Sequence, residues 1–149
     1  MLLNPPGPGP VDLLPHWPYA RAVDDALTGR GIPPGLVRVE HTGPAYGDTM
    51  YLVYAWDSSR CAGLGGLRLT WRDDTGWSHA LLRPNGGRAI PRGPLTALHR
   101  VYATPKDVAD VAHALVHQRF SRYARDAHGE WERAHEVRTA IDAFRQPAD

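Results

Sequence analysis

The sequence predicts an α+β fold: an antiparallel sheet of four or five strands in a meander, with one N-terminal helix and two C-terminal helices packed on one face. Three observations lead there. An apolar stripe at helical spacing over residues 18–28 comes first, strands with period-two alternation follow, and two amphipathic segments close the chain. Strands grouped together and then helices argue for segregated α and β layers rather than for alternating βαβ units.

Taken in order, residues 1–15 carry prolines at 5, 6, 8, 10 and 15, which remove amide donors and fix φ. They are read as a disordered or extended Pro/Gly-rich arm, and residues 16–146 as a single α+β domain. A helix is expected from Pro18 to Thr28, with Pro18 in the first turn and Gly29 and Gly31 as left-handed stops. Tyr19, Val23, Ala26 and Leu27 form its apolar stripe, and Arg21, Asp24 and Asp25 lie away from it.

Leu36–Glu40 alternates Val37 and Val39 with Arg38 and Glu40, so it is a half-buried strand. Thr49–Trp56 is apolar on both faces and reads as a central strand. Leu67, Leu69 and Trp71 alternate with Arg68, Thr70 and Arg72, and Asp73-Asp-Thr-Gly76 is a turn signal before a returning strand, Trp77–Leu82. A four-residue turn sets Leu67 opposite Leu82 and Leu69 opposite Ala80. The other face then carries Arg68, Thr70, Arg72, Trp77, His79 and Leu81.

Residues 83–95 are too broken by Gly and Pro for regular structure beyond a turn, and Leu98–Tyr102 is either a short fifth strand or one helical turn. Thr104-Pro-Lys-Asp107 is a helix start, with Thr104 as N-cap and Pro105 at the first helical position. That helix is expected to reach about Tyr123, with Val108, Val111, Ala112, Leu115 and Val116 buried. A last segment from Glu130 to Arg145 presents Trp131, Ala134, Val137, Ile141 and Phe144 on one side. Periodicity leaves open whether the two C-terminal helices are separate.

The segment Pro18-Tyr-Ala-Arg-Ala-Val-Asp-Asp-Ala-Leu-Thr-Gly-Arg-Gly-Ile32, the hairpin Leu69-Thr-Trp-Arg-Asp-Asp-Thr-Gly-Trp77 and Thr104-Pro-Lys-Asp-Val-Ala-Asp110 together resemble a family of small uncharacterised actinomycete proteins, a domain of unknown function. The similarity covers roughly residues 16–120. It implies one domain and brings no activity or site residues. The helix-then-meander order also resembles YbjN-like and secretion-chaperone-like folds, a likeness of fold alone.

Composition narrows the functional classes. Leu, Ile, Val and Phe number 30 of 149 residues, so the core is aliphatic-poor and the 11 Trp and Tyr must fill it. No apolar run approaches the roughly 18 residues of a membrane span. A lone Cys61 excludes a disulfide framework and a cysteine zinc site. With no secretory signal at the start of the chain, it points to the cytoplasm. The net charge of +1 conceals a pattern: residues 1–57 carry −3, residues 58–106 carry +6, and residues 107–149 carry −2.

Five sets of residues are candidates for chemistry. Arg68, Arg72, Arg83, Arg88 and Arg92, with Trp77 to stack a base, form a basic hairpin and loop suited to nucleic acid or an acidic partner. Asp110, His113 and His117 share one helix face at metal-ligand spacing, although that face is opposite the apolar stripe and has no H-E-x-x-H glutamate. Gly63-Leu-Gly-Gly66 lacks the spacing of a phosphate loop and reads as a strand entry or bulge. Cys61, Ser58 and Ser59 have no nucleophile-elbow signature. The acid pairs Asp24/Asp25 and Asp73/Asp74 read as helix surface and turn caps.

These observations rank a non-enzymatic protein-binding or adaptor domain first, with no cofactor and no catalytic residue. A small nucleic-acid-associated protein using residues 68–92 is the alternative. A metal-dependent enzyme built on Asp110, His113 and His117 is third. Neither the partner nor the oligomeric state can be read from the residues.

Overall fold

The computed structural model describes residues 14–43, 45, 47–61, 65–82, 90–94 (backbone), 98, 100–117 and 130–146. Strands β1 (Leu36–His41), β2 (Met50–Trp56), β3 (Gly66–Arg72), β4 (Gly76–Leu82) and β5 (Ile90–Pro94) form one antiparallel sheet in the order β1-β2-β3-β4-β5. Helices α1 (Trp17–Gly29), α2 (Pro105–Val116) and α3 (Ala134–Arg145) complete an α+β meander fold. Helix α1 packs against α2, α3 and β1, and α2 against β3.

Helix α1 starts where proline fits its first turn, and it ends in a Schellman arrangement. The N–H of Ile32 reaches Leu27 O at 3.0 Å, and that of Gly31, at φ +86°, reaches Thr28 O at 3.0 Å. Ile32 and Leu27 are both buried, which supplies the apolar contact usual for this cap. Helix α2 begins as its sequence dictates, because the Thr104 hydroxyl accepts from Asp107 N at 3.1 Å.

Aromatic side chains fill the space between the helices and the sheet. Tyr19 lies at its centre, with ring centroids 5.3 Å from Trp71, 5.5 Å from Tyr102 and 5.0 Å from Trp131. Its hydroxyl donates to Ala103 O at 2.6 Å and accepts from Trp77 Nε1 at 3.1 Å. Tyr54 donates to Ala20 O at 2.8 Å, Trp56 Nε1 to Ile32 O at 2.9 Å and Trp71 Nε1 to Val101 O at 2.6 Å. These buried rings therefore keep a partner for the polar end that burial would otherwise penalise. The indoles of Trp56, Trp71 and Trp77 and the phenols of Tyr19 and Tyr54 thus close a core short of aliphatic carbon with their own donors satisfied.

The hairpin register differs from the sequence expectation by one residue. Leu67 pairs with Leu81, Leu69 with His79, and Trp71 with Trp77. Gly76 adopts φ +83° and pairs with Arg72, so the turn is the three residues Asp73-Asp74-Thr75 and not four. A one-residue slip exchanges the faces of an entire strand. Trp77, His79 and Leu81 accordingly point to the helices, and Leu82 points away from them.

Other boundaries also shift. The fifth strand is Ile90–Pro94, inside the segment expected to be irregular. Of residues 98–102, Leu98 lies in a 3-10 turn and Arg100–Tyr102 form a bend and a turn, and Ala103 makes an isolated bridge to Glu130. Helix α2 stops at Val116 with His117 as its cap; the expected continuation through residues 118–123 lies outside the described residues. Helix α3 begins at Ala134 and is a separate element, and Phe144 is 41% exposed instead of buried. Residues 1–13 of the expected arm also lie outside the described set.

Candidate functional site

The side chains of the sheet that face away from the helices form three rows across the ladder. They read Leu36–Ala55–Arg68–Ala80, Arg38–Val53–Thr70–Ser78 and Glu40–Tyr51–Arg72–Gly76. The β1, β2 and β3 members of these rows other than Arg72, together with Leu82, line a shallow groove of about 400 Å³, and among the described residues no helix side chain lines it. Its middle is built of short groups, Val53, Ala55 and Thr70, which stay only half buried. Longer side chains, Arg38, Tyr51, Arg68 and Leu82, stand around them.

The charges on this face differ in how far they are committed. Arg72 forms a two-point pair with Asp74, Nε to Oδ1 and Nη2 to Oδ2, both 3.0 Å. That pair holds the Asp74 carboxyl below its ordinary range, through the hydrogen bond first and the nearby positive charge second. Arg38 approaches Glu40 only at 4.0 Å, and Glu40 already accepts from the Tyr51 hydroxyl. Desolvation first and the Glu40 hydrogen bond second push the Tyr51 phenol up to about 12, so it is a donor at neutral pH. Among the described residues no carboxylate lies within ion-pair distance of Arg68.

Of the residues singled out in the sequence, Arg68 and Arg72 do share the open face. Trp77 does not: it is 2% exposed, lies in the core and donates to Tyr19, so the expected stacking ring is absent from this surface. The cause is the shorter turn described above. Arg83 and Arg88 lie outside the described residues, as does the side chain of Arg92, whose backbone belongs to β5. Arg38, Val53 and Ala55 complete the groove and were not singled out. The signal for them was present: β1 alternates Arg38 and Glu40 outward, and β2 is apolar on both faces while helices cover only one.

The remaining candidates resolve individually. Asp110 is turned to Arg30 at 3.4 Å and Lys106 at 3.6 Å, and the His113 and His117 rings lie 4.4 Å apart at the end of α2. Among the described residues no group of three or more His, Cys, Asp or Glu side chains is placed to hold a metal ion. Ser59 is held by Asp57, Oγ to Oδ1 at 2.5 Å, in a single 3-10 turn. Burial pushes the Cys61 thiol up, which keeps it protonated and a poor nucleophile. Gly66 opens β3, where a Cβ would meet Trp56 O at 2.3 Å, so its glycine serves backbone approach.

Asp73 is a structural hub. Its Oδ1 accepts from Met50 N at 2.9 Å and its Oδ2 from Arg145 Nη2 at 2.7 Å, tying the hairpin turn to β2 and α3. Two buried polar residues escaped the sequence reading. Asp24, expected on the helix surface, is 2% exposed, and its Oδ2 has no partner among the described residues; desolvation, then the neighbouring Asp25, pushes its carboxyl up. His16 is fully buried against Trp71, with Nε2 3.2 Å from Tyr51 O and Nδ1 unpartnered among the described residues.

No protein-family model, curated protein or solved structure matches this chain. No described helix is long and apolar enough to cross a membrane.

Proposed function

We propose that this chain is a non-enzymatic protein-binding domain whose contact surface is the open face of the sheet. One observation carries the reading. The same five-stranded sheet is closed on one side by three helices, while the half-buried aliphatic floor of Val53, Ala55, Leu36 and Leu82 on the other has no helix over it among the described residues. Aliphatic groups framed by arginines are the composition of a contact surface, with an apolar centre and a charged rim. The nucleic-acid reading retains Arg68 and Arg72 on one face but has no stacking ring from Trp77. A single cysteine suits a reducing compartment, and we assign the cytoplasm.

A photo-reactive amino acid at Val53, compared with one at exposed Thr139 on α3, tests the reading. The expected result is a discrete cross-linked polypeptide from Val53, suppressed by Ala55→Arg and absent from Thr139. Equal, diffuse labelling at both positions would count against the open face as the contact surface.

A further inference from the structure

The residues of the groove also specify what kind of segment fits it. The floor is made of short side chains between long ones, so it accepts a convex rod. An extended peptide would need unpaired backbone groups, which this sheet offers only along the outer edges of β1 and β5 and not over the groove, because β2, β3 and β4 are each paired on both sides. A helix needs only a complementary stripe, and the opposite face of this sheet is covered by helices. The charges then select the sign. Arg68 has no acid partner among the described residues, and Arg38 reaches Glu40 only at 4.0 Å, while Glu40 is already engaged by Tyr51.

A second copy of this chain is a weaker match, because acids on its exposed helix faces are engaged within the chain. Asp110 meets Arg30 at 3.4 Å and Lys106 at 3.6 Å, and Glu136 meets Arg133 at 3.1 Å. A nucleic acid is a poor match because Glu40 stands among the arginines and the floor is aliphatic. We infer that the open face docks an acidic amphipathic helix of a partner protein, its apolar stripe on Val53 and Ala55 and its flanking carboxylates on Arg38 and Arg68. The inference rests on reading that face as the contact surface.

The test uses the full chain and three fluorescent probes. One is a helical peptide of roughly 18 residues with a Leu/Ala stripe flanked by Glu, long enough to hold helix once bound. The second is its twin with Lys for Glu, and the third is a short single-stranded oligonucleotide. The acidic peptide is expected to bind, to weaken with salt, and to lose about tenfold in affinity with Arg38→Glu/Arg68→Glu, which should gain affinity for the Lys peptide. An unchanged melting temperature of the double variant, both positions being solvent-facing, separates this loss from unfolding. Acidic-peptide binding that is absent, or indifferent to charge reversal, overturns the inference. So does arginine-dependent binding of the oligonucleotide, or a homodimer dissociated by Val53→Asp. If Val53 cross-links a protein through a segment that is not an acidic helix, the contact surface stands and this inference falls.

Discussion

The two faces of one sheet are built from the same strands and serve opposite ends. Toward the helices, Trp56, Trp71, Trp77 and Tyr54 bury completely, and their N–H and O–H groups find partners. On the open side, Val53, Ala55 and Thr70 stay half exposed, and Arg68 ends without an acid among the described residues. Buried aromatic rings whose polar ends are hydrogen-bonded specify the fold. A face with an apolar floor and an arginine without an acid partner among the described residues adds little to stability and keeps its interactions available for another molecule. Stability and binding are thereby separated onto alternate residues of the same strands.

That separation can be tested by the size of single-residue effects. Tyr19→Ala should be the most damaging, costing about 4 kcal/mol, because it empties the aromatic centre and strands Trp77 Nε1 and Ala103 O. Urea unfolding measures it, and a loss below 1 kcal/mol would show that the inner face is not the source of stability.

The second effect is pH dependence. Desolvation depresses the buried His16 imidazole from 6.5 to about 4, outweighing the raising influence of Tyr51 O, Glu40 O and Asp73. A depressed folded-state value means that the unfolded chain takes up the proton first. The stabilisation is complete above pH 6.5 and is lost as pH falls toward 4, by about 3 kcal/mol. His16→Gln should flatten that part of the stability profile; an unaltered slope would assign it to other groups.

Gly66→Ala should cost about 2 kcal/mol, because the added methyl meets the Trp56 carbonyl and must displace backbone. A neutral result would mean that β3 can shift away from β2. Arg68→Ala and Val53→Ser, on the open face, should change stability by no more than about 0.5 kcal/mol and leave thermal melting unaltered. A large loss at either position would give the outer face a structural role and erase the contrast.

Much of the inner face was legible from periodicity. The stripe Tyr19, Val23, Leu27 and the alternation in β1 and β3 point to residues that are buried. The strand that went wrong was β4, and the reason is local. Asp73-Asp-Thr-Gly76 is compatible with a turn of three or four residues, and only the positive φ of Gly76, paired with Arg72, decides between them. That single residue moved Trp77 from the expected contact surface into the core. The open face was half legible: Arg68 and Arg72 were visible as an outward pair. The alternation in β1 turns Arg38 outward, but only the β1–β2–β3 register, which pairs residues distant in sequence, places it on the same face as Arg68. Buried His16 and Asp24 could not be found by periodicity, since both residue types are ordinarily exposed and tertiary packing overrides that preference.

The central claim, that the open face binds and the covered face stabilises, is tested most directly by amide chemical-shift mapping of the labelled chain with the acidic helical peptide. The predicted result is a contiguous set of shifts at Arg38, Val53, Ala55, Arg68 and Thr70, with α1 and α3 quiet. A shift maximum on the helices, or on the core-facing residues around Tyr19, would contradict it.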